Sequence, residues 1–410
     1  MSAHLRSNSS HREPVTVYLD TQDYSRFGDV LRGRANVEME RLFENLRLLK
    51  TDGLARFAYS MPVLSELLQY DPEHEETTNA KARAVEELCG DTALLWPQRL
   101  IEKQANIYGR SLGLALPDEP LDCIRSGNEW FPRLSNELSG FRDRLLNGID
   151  GAAARFGPLN RKQKRALGAA KRDGNLVAML RMAVPPIADK YQLPTDSVEH
   201  ALLPLVRGQC SADEASRRLF GAVAKPTAFV HAYFKVQQAD RTMPDWIRGL
   251  GANLQRGLMD LREKAEPLIR IGHVDHVRVA LNANAEKIGI AVLRMIDTEE
   301  AELGITPSML EAIATTPEAY KHIPCCEIAA KLILGYIDQT IVASGNLAKI
   351  EKSFGGDLIH AFYIDYVDIW RGDRRFAELI RQRLPSRYAK IQPSLTELPN
   401  HIISRVQGET

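Results

Sequence analysis

Four acids stand where strands give way to helices: Asp20, Glu66, Asp357 and Asp373. Asp20 closes the run Val15-Thr16-Val17-Tyr18-Leu19, whose β-branched and aromatic residues suit a packed strand. Glu66 lies on the helix after a second strand, Asp357 opens a late helix, and Asp373 follows a late strand. In an open parallel sheet, ligands bind at the carboxyl ends of the strands. Four carboxylates meeting there would repel and raise one another's pKa. Hard oxygen donors of this kind suit a divalent cation, Mg²⁺ or Mn²⁺. One or two such ions beside a phosphodiester orient a water, lower its pKa and neutralise the leaving oxygen. The plain alternative is that Asp20 or Asp23 caps the helix that follows. Periodicity alone does not bring the four acids together.

The elements that must position them alternate at both ends of the chain. An amphipathic helix is predicted over Asn36 to Lys50, with Val37, Met39, Leu42, Phe43, Leu46 and Leu49 at helical spacing. Leu54 to Tyr59 reads as a second strand, and Ser60-Met61-Pro62 starts the helix that carries Glu66. Glu73 to Cys89 reads as a helix stopped by Gly90, and Ala93 to Trp96 as a short third strand. This order predicts an α/β class, a twisted parallel sheet flanked by helices. From about Asn106 strand signals nearly vanish. Helices are predicted around Leu134 to Ile149, Ile247 to Leu261, Val277 to Ile296 and Ile328 to Val342, with Pro185-Pro186 as a divider. Ser211 to Glu214 and Thr306-Pro307 are helix-start signatures. After Gly345 the alternation resumes. Tyr366 to Trp370 reads as a strand, Tyr388 to Ile391 as an edge strand, and the tail after Gln392 is weakly patterned. The expected organisation is a flexible tail over 1–13, α/β segments over 14–105 and 346–410, and an all-α insertion over 106–345.

Four pieces in this order resemble the PIN-domain nucleases. They are Leu19-Asp20-Thr21, the run Ser60 to Leu67, the run Gly356 to Ala361, and the run Val367 to Phe376. The resemblance implies a PIN-like fold interrupted by the helical insertion, and one metal-binding acid in each piece. Asp20, Glu66, Asp357 and Asp373 are then both metal ligands and catalytic residues, and Thr21 orients a ligand or water. It further implies an Mg²⁺- or Mn²⁺-dependent endoribonuclease leaving 5′-phosphate and 3′-hydroxyl ends. A toxin-like or defence role, with a neutralising protein partner, comes from the resemblance alone. The chain departs from the family in two places. Arg371 stands where a Thr usually precedes the last acid, and Gln22 where Asn or Ser is usual. Asp365 and Asp368 compete for the last position, and Asp373 is preferred because Asp368 falls inside the predicted strand. With the later acids counted, Asp20 is read as a ligand and the cap moves to Asp23.

Other features are weaker. Arg161, Lys162, Lys164, Arg165, Lys171 and Arg172 form a basic cluster that reads equally as a phosphate-contacting surface or a solvated helix face. Arg371, Arg374 and Arg375 could guide a nucleic-acid backbone, or be surface charges. His273 and His276 invite a metal reading but favour a surface or capping role, and His360, one turn past Asp357, could face the site but favours a packed or solvated place. Net charge is zero, so global charge points to neither nucleic acid nor membrane. The five cysteines form no C-x-x-C pair, which points to a reduced, cytoplasmic protein with buried thiols at Cys325 and Cys326. No apolar run has the length of a membrane span. There is no Walker loop, dinucleotide fingerprint or nucleophile elbow. A non-catalytic PIN-like scaffold, whose insertion binds protein or RNA, is the competing expectation. Homo-oligomerisation is left open.

Overall fold

The structure is a computed structural model that describes residues 13–68, 74–126, 138–145, 147, 161, 173–191, 193–221, 225–236, 242–299, 301–342, 351 and 353–408. They fall into two compact units. One takes its residues from Met1–Arg125 and Thr242–Thr410, the other from Ser126–Arg241.

The first unit opens on β1 (Val15–Tyr18), in which all four residues are buried. Such continuous burial is what a parallel strand covered on both faces requires. α1 (Thr21–Leu31) and α2 (Val37–Thr51) lead to β2 (Ala55–Ala58). Asn36 caps α2 by accepting from the Met39 amide at 2.9 Å. Phe27 of α1 stacks on Phe43 of α2 with ring centroids 4.7 Å apart. Burying each ring contributes about 1.5–3 kcal/mol. α3 (Met61–Leu67), α4 (Glu75–Cys89), β3 (Ala93–Leu94), α5 (Pro97–Ser111) and β4 (Ile124–Arg125) follow.

The second unit contains α6 (Asp173–Tyr191), α7 (Thr195–Val206), α8 (Ala212–Gly221) and α9 (Pro226–Val236). α7 packs on both α6 and α8, around Leu180, Val184, Val198, Leu202 and Leu219. The Glu214 amide donates to Ser211 Oγ at 3.2 Å, the expected start of α8. Pro185 and Pro186 do not divide helices; they lie inside α6. Both are exposed, so the carbonyls that proline leaves without donors can turn to water.

The chain then returns to the first unit through α10 (Thr242–Arg270), α11 (Val274–Asn282), α12 (Ala285–Leu293), α13 (Pro307–Thr315) and α14 (Pro324–Ile337). Thr306 caps α13, as expected, by accepting from the Met309 amide. α15 (Phe354–Ala361), β5 (Ile369–Arg371), α16 (Arg374–Arg383), β6 (Ile391–Gln392) and α17 (Leu398–Gln407) complete it. The expected insertion over 106–345 is therefore too long. α10 packs on α3 and α15, and α14 packs on α5 and α16, so these helices belong to the first unit instead of forming a separate body.

Four strands form one parallel sheet in the order β2-β1-β5-β6. β3 pairs antiparallel with β4 and meets the end of β2 through an isolated parallel bridge, Tyr59 to Ala93. The sheet class is thus the α/β arrangement expected, although helix dominates the unit. β1 sits centrally, with β2 on one side and the late β5 on the other. The chain winds away from β1 in both directions, which leaves a crevice at its carboxyl end. Because the strands are parallel, Asp20, the Ser60 start of α3 and Gly372-Asp373 all emerge on that edge. Among the described residues, no helix is long and apolar enough to cross a membrane.

Candidate metal site

Asp20 occupies the N-cap position of α1, but its side chain makes no capping hydrogen bond. Its carboxylate is therefore left for the crevice. Glu66, in the last turn of α3, brings a second carboxylate, and α15 brings His360. One ligand atom from each of Asp20, Glu66 and His360 lies within 4.8 Å of the others, and the three could hold a metal ion. Residues 20 and 360 meet because β1 and β5 pair at Tyr18 and Trp370. The Trp370 indole N–H donates to the His360 carbonyl at 3.0 Å, fixing α15 to β5. Gly356 faces the same carboxylate: a Cβ there would lie 2.9 Å from Glu66 Oε1. Any side chain at this position would push Glu66 out of place.

His360 is 2 % exposed. Its Nδ1 is hydrogen-bonded to the Tyr18 hydroxyl, which contacts Ser60 Oγ at 2.6 Å. Its Nε2 faces Glu66 Oε1 at 3.4 Å. The histidine is packed, as expected, and it also faces the acids. The signal was its spacing of three from Asp357, which puts both on one helix face.

Asp357 and Asp373 lie beside this group without belonging to it. They line one small cleft with Glu351, Phe354 and Arg375. Asp373 is the N-cap of α16, accepting from the Phe376 amide at 2.8 Å. The competing acids are engaged elsewhere. Asp368 precedes β5 at the opposite edge and accepts from the Thr16 amide at 2.7 Å. Asp365 is held by the Arg387 guanidinium at 2.7 and 2.9 Å.

Two expectations need correction. Asp23 is not the cap of α1, whose N-cap position Asp20 holds: it is 0 % exposed and ion-paired with Arg371 at 3.0 Å. Arg371, 4 % exposed, cannot guide a nucleic-acid backbone. A charged side chain this deep needs a counter-charge, and Asp23 supplies it. Arg374 is exposed, while Arg375 is exposed and pairs with Glu351. Arg161 is exposed, and Lys162, Lys164, Arg165, Lys171 and Arg172 lie outside the described residues. His273 and His276 are exposed, with their rings edge to face at 5.2 Å. Cys325 and Cys326 are buried in the first turn of α14, and burial pushes the Cys326 thiol up to about 12, which makes it inert.

The charges in the crevice perturb one another. Burial, then the neighbouring Asp20, push Asp357 up to about 8, against the pull of His360. Burial also raises Asp20, reinforced by Glu66 and opposed by His360 and Arg371. Burial acts to raise Glu66 too, but His360 and the Thr21 hydroxyl hold it below its usual value. Burial disfavours the charged imidazole of His360, yet Glu66, Asp20 and Asp357 raise it to about 9. Asp23 is lifted by burial to about 7 even beside Arg371.

A dependence of stability on pH follows. Asp23, Asp357 and His360 each keep a proton to higher pH when folded than when unfolded. Across that range the folded chain binds more protons, so stability falls as pH rises. The His360 contribution is complete below the ordinary imidazole value and is lost through about 9. Glu66 has the opposite sign, losing its contribution only as pH falls below the ordinary carboxylate value. Calorimetry of the cation-free protein is expected to show a melting temperature that declines from about pH 6 to about pH 9. A saturating divalent cation should reduce that decline, because it supplies the positive charge the carboxylates need.

No family model matches the chain, and neither does any curated protein or solved structure.

Proposed function

We propose that this protein is a divalent-cation-dependent nuclease built on a PIN-like α/β framework, with RNA as its substrate. One observation carries the reading. Carboxylates from distant parts of the chain, Asp20 and Glu66, meet at the carboxyl edge of a parallel sheet. The late acids Asp357 and Asp373 share a cleft at the same edge. The donor set fits a divalent cation: oxygen ligands dominate, and burial, with the neighbouring Asp20 charge added, lifts Asp357 to about 8.

Asp20 and Glu66 would hold the ion, Mg²⁺ or Mn²⁺, with Asp357 and Asp373 toward the substrate side. When bound, it supplies the positive charge and the acidity toward water that phosphodiester hydrolysis needs. Thr21 helps keep Glu66 ionised and ready to bind. Asp357 stays protonated near neutrality until a cation or substrate site is formed, so it can hold a proton at the crevice. Arg374, exposed and next to Asp373 in sequence, would be a cation for a substrate phosphate.

The test is cleavage of labelled single-stranded RNA and DNA with Mn²⁺, with Mg²⁺ and with a chelator. RNA cleavage that requires the cation is expected. No cleavage under any condition, or cleavage indifferent to the chelator, counts against the reading.

A second reading is a non-catalytic scaffold whose helical unit binds protein or RNA. It is favoured by His360, which already places a positive charge against Glu66. On that reading the folded protein binds no divalent cation.

A further inference from the structure

We propose that His360 is itself a metal ligand, which makes Asp20, Glu66 and His360 a mixed oxygen–nitrogen site for a first-row transition ion. This rests on the reading that the crevice holds a divalent cation, and it changes which cation and through which atoms. An all-carboxylate site suits Mg²⁺, whereas imidazole draws the preference toward transition metals.

The geometry assigns the nitrogen. The Tyr18 hydroxyl occupies Nδ1, and Tyr18 reaches the buried Ser60 Oγ at 2.6 Å on its other side. Nε2 is left without a hydrogen-bond partner, although His360 is 2 % exposed. It looks across 3.4 Å to Glu66 Oε1, toward the point that Asp20 also faces. Glu66 is acceptor-only when ionised, so Nε2 carries a proton toward it in the absence of metal. Nδ1 then donates to Tyr18, and Tyr18 donates to Ser60. Displacing the Nε2 proton with a metal leaves that chain intact. A ligating histidine whose other nitrogen is fixed by an oxygen partner is the usual arrangement at metal sites. The ring is held further by the Trp370 bond to the His360 carbonyl at 3.0 Å. Among the described residues, this is the one group of three such side chains close enough to share an ion.

The experiment is pulsed electron paramagnetic resonance on the full chain with Mn²⁺ below one equivalent. The wild-type protein should show modulation from a directly bound ¹⁴N nucleus. His360→Gln should lose that modulation and bind Mn²⁺ roughly tenfold or more weakly, with a smaller change for competing Mg²⁺. Asp20→Asn, which leaves His360 packed, should also lose the nitrogen-coupled signal at the same Mn²⁺ concentration. Bound Mn²⁺ without nitrogen coupling in the wild type overturns this inference and leaves the nuclease reading standing. No bound Mn²⁺ in the wild type overturns both. Nitrogen coupling that persists in His360→Gln assigns the signal to another nitrogen donor, and coupling that persists in Asp20→Asn takes Asp20 out of the ligand set; either result overturns the inference.

Discussion

Replacing Asp20 with Asn is expected to lower cation-dependent RNA cleavage by on the order of 100-fold or more, with little loss of stability. The magnitude follows from the chemistry of metal sites: even partners one shell beyond the ligands cost about 10–100-fold in affinity or activity. Asp20 stands at the centre of the crevice, at the end of the central strand and within reach of both Glu66 and His360. Its side chain makes no capping bond to α1, so Asn removes charge without removing a cap. Burial raises the Asp20 pKa, so the ionised form already sits in an unfavourable place without a cation. Removing the charge should therefore leave the cation-free protein as stable as before, or slightly more so. Isothermal titration with Mn²⁺ and an RNA cleavage assay read the two effects separately. Asp368→Asn is the matched control. Asp368 bonds the Thr16 amide at the far edge of the sheet, and its loss should leave cleavage unchanged. If the two variants lose activity equally, the loss reports sheet damage and not the crevice.

The second large effect concerns the buried pair Arg371 and Asp23. Arg371→Met is expected to destabilise the fold by about 3–5 kcal/mol, the usual cost of stranding one partner of a buried ion pair. The loss should depend on pH in a particular sense. Asp23 already titrates near 7 with Arg371 in place. Without the guanidinium its carboxyl is easier still to protonate, and a protonated acid tolerates burial. The penalty should thus shrink at about pH 5.5 and be largest at about pH 8. Asp23→Asn strands the arginine instead, which cannot shed its proton. Its penalty should change in the opposite sense, shrinking as pH rises, because the wild-type protein loses the stability that the Asp23 proton gives it and the Asn variant has no such proton to lose. Urea unfolding of both variants at the two pH values checks this, and equal pH dependence would contradict the pairing. A Thr at position 371 would leave Asp23 without a counter-charge in the core.

The first strand, the amphipathic helices and the return of the α/β pattern after the helical region were legible because burial imposes a period. Val15 to Tyr18 are buried on both faces, and Leu42, Phe43, Leu46 and Leu49 share one face of α2. The late strands were misplaced by a few residues. β5 is three residues long and β6 two, too short for an alternation to register. The residues before them, Ile364–Tyr366 and Pro385–Lys390, wind into 3₁₀ turns that look strand-like by composition. α17 was hidden because it buries only Leu398 and Ile402, one turn apart. The helical stretch was read as one insertion because helix periodicity says nothing of what a helix packs on. Thr242–Arg270 belongs with α3 and α15 through contacts that no local pattern encodes.

At the site, the acids at strand ends were visible, but their order of closeness was not. Asp20 and Glu66 come within ligand distance of His360, whereas Asp357 and Asp373 remain in the neighbouring cleft. That difference is set by which side of α15 faces Glu66, and the close approach at Gly356 decides it. Asp373 was placed correctly at the edge, yet it also caps α16, a dual use that spacing does not reveal. Arg371 was read as either a guide for a nucleic-acid backbone or a surface charge because its buried partner is remote in sequence.

The central claim is that side chains from opposite ends of the chain, Asp20 and Glu66 with His360, form one cation site. A crystal soaked in Mn²⁺ and measured at a wavelength where manganese scatters anomalously tests it most directly. The account predicts one strong anomalous peak between the Asp20 and Glu66 carboxylates and the His360 ring, on the Asp357 side of the crevice. Full soaking with no peak there, or with peaks only at surface carboxylates, would contradict it.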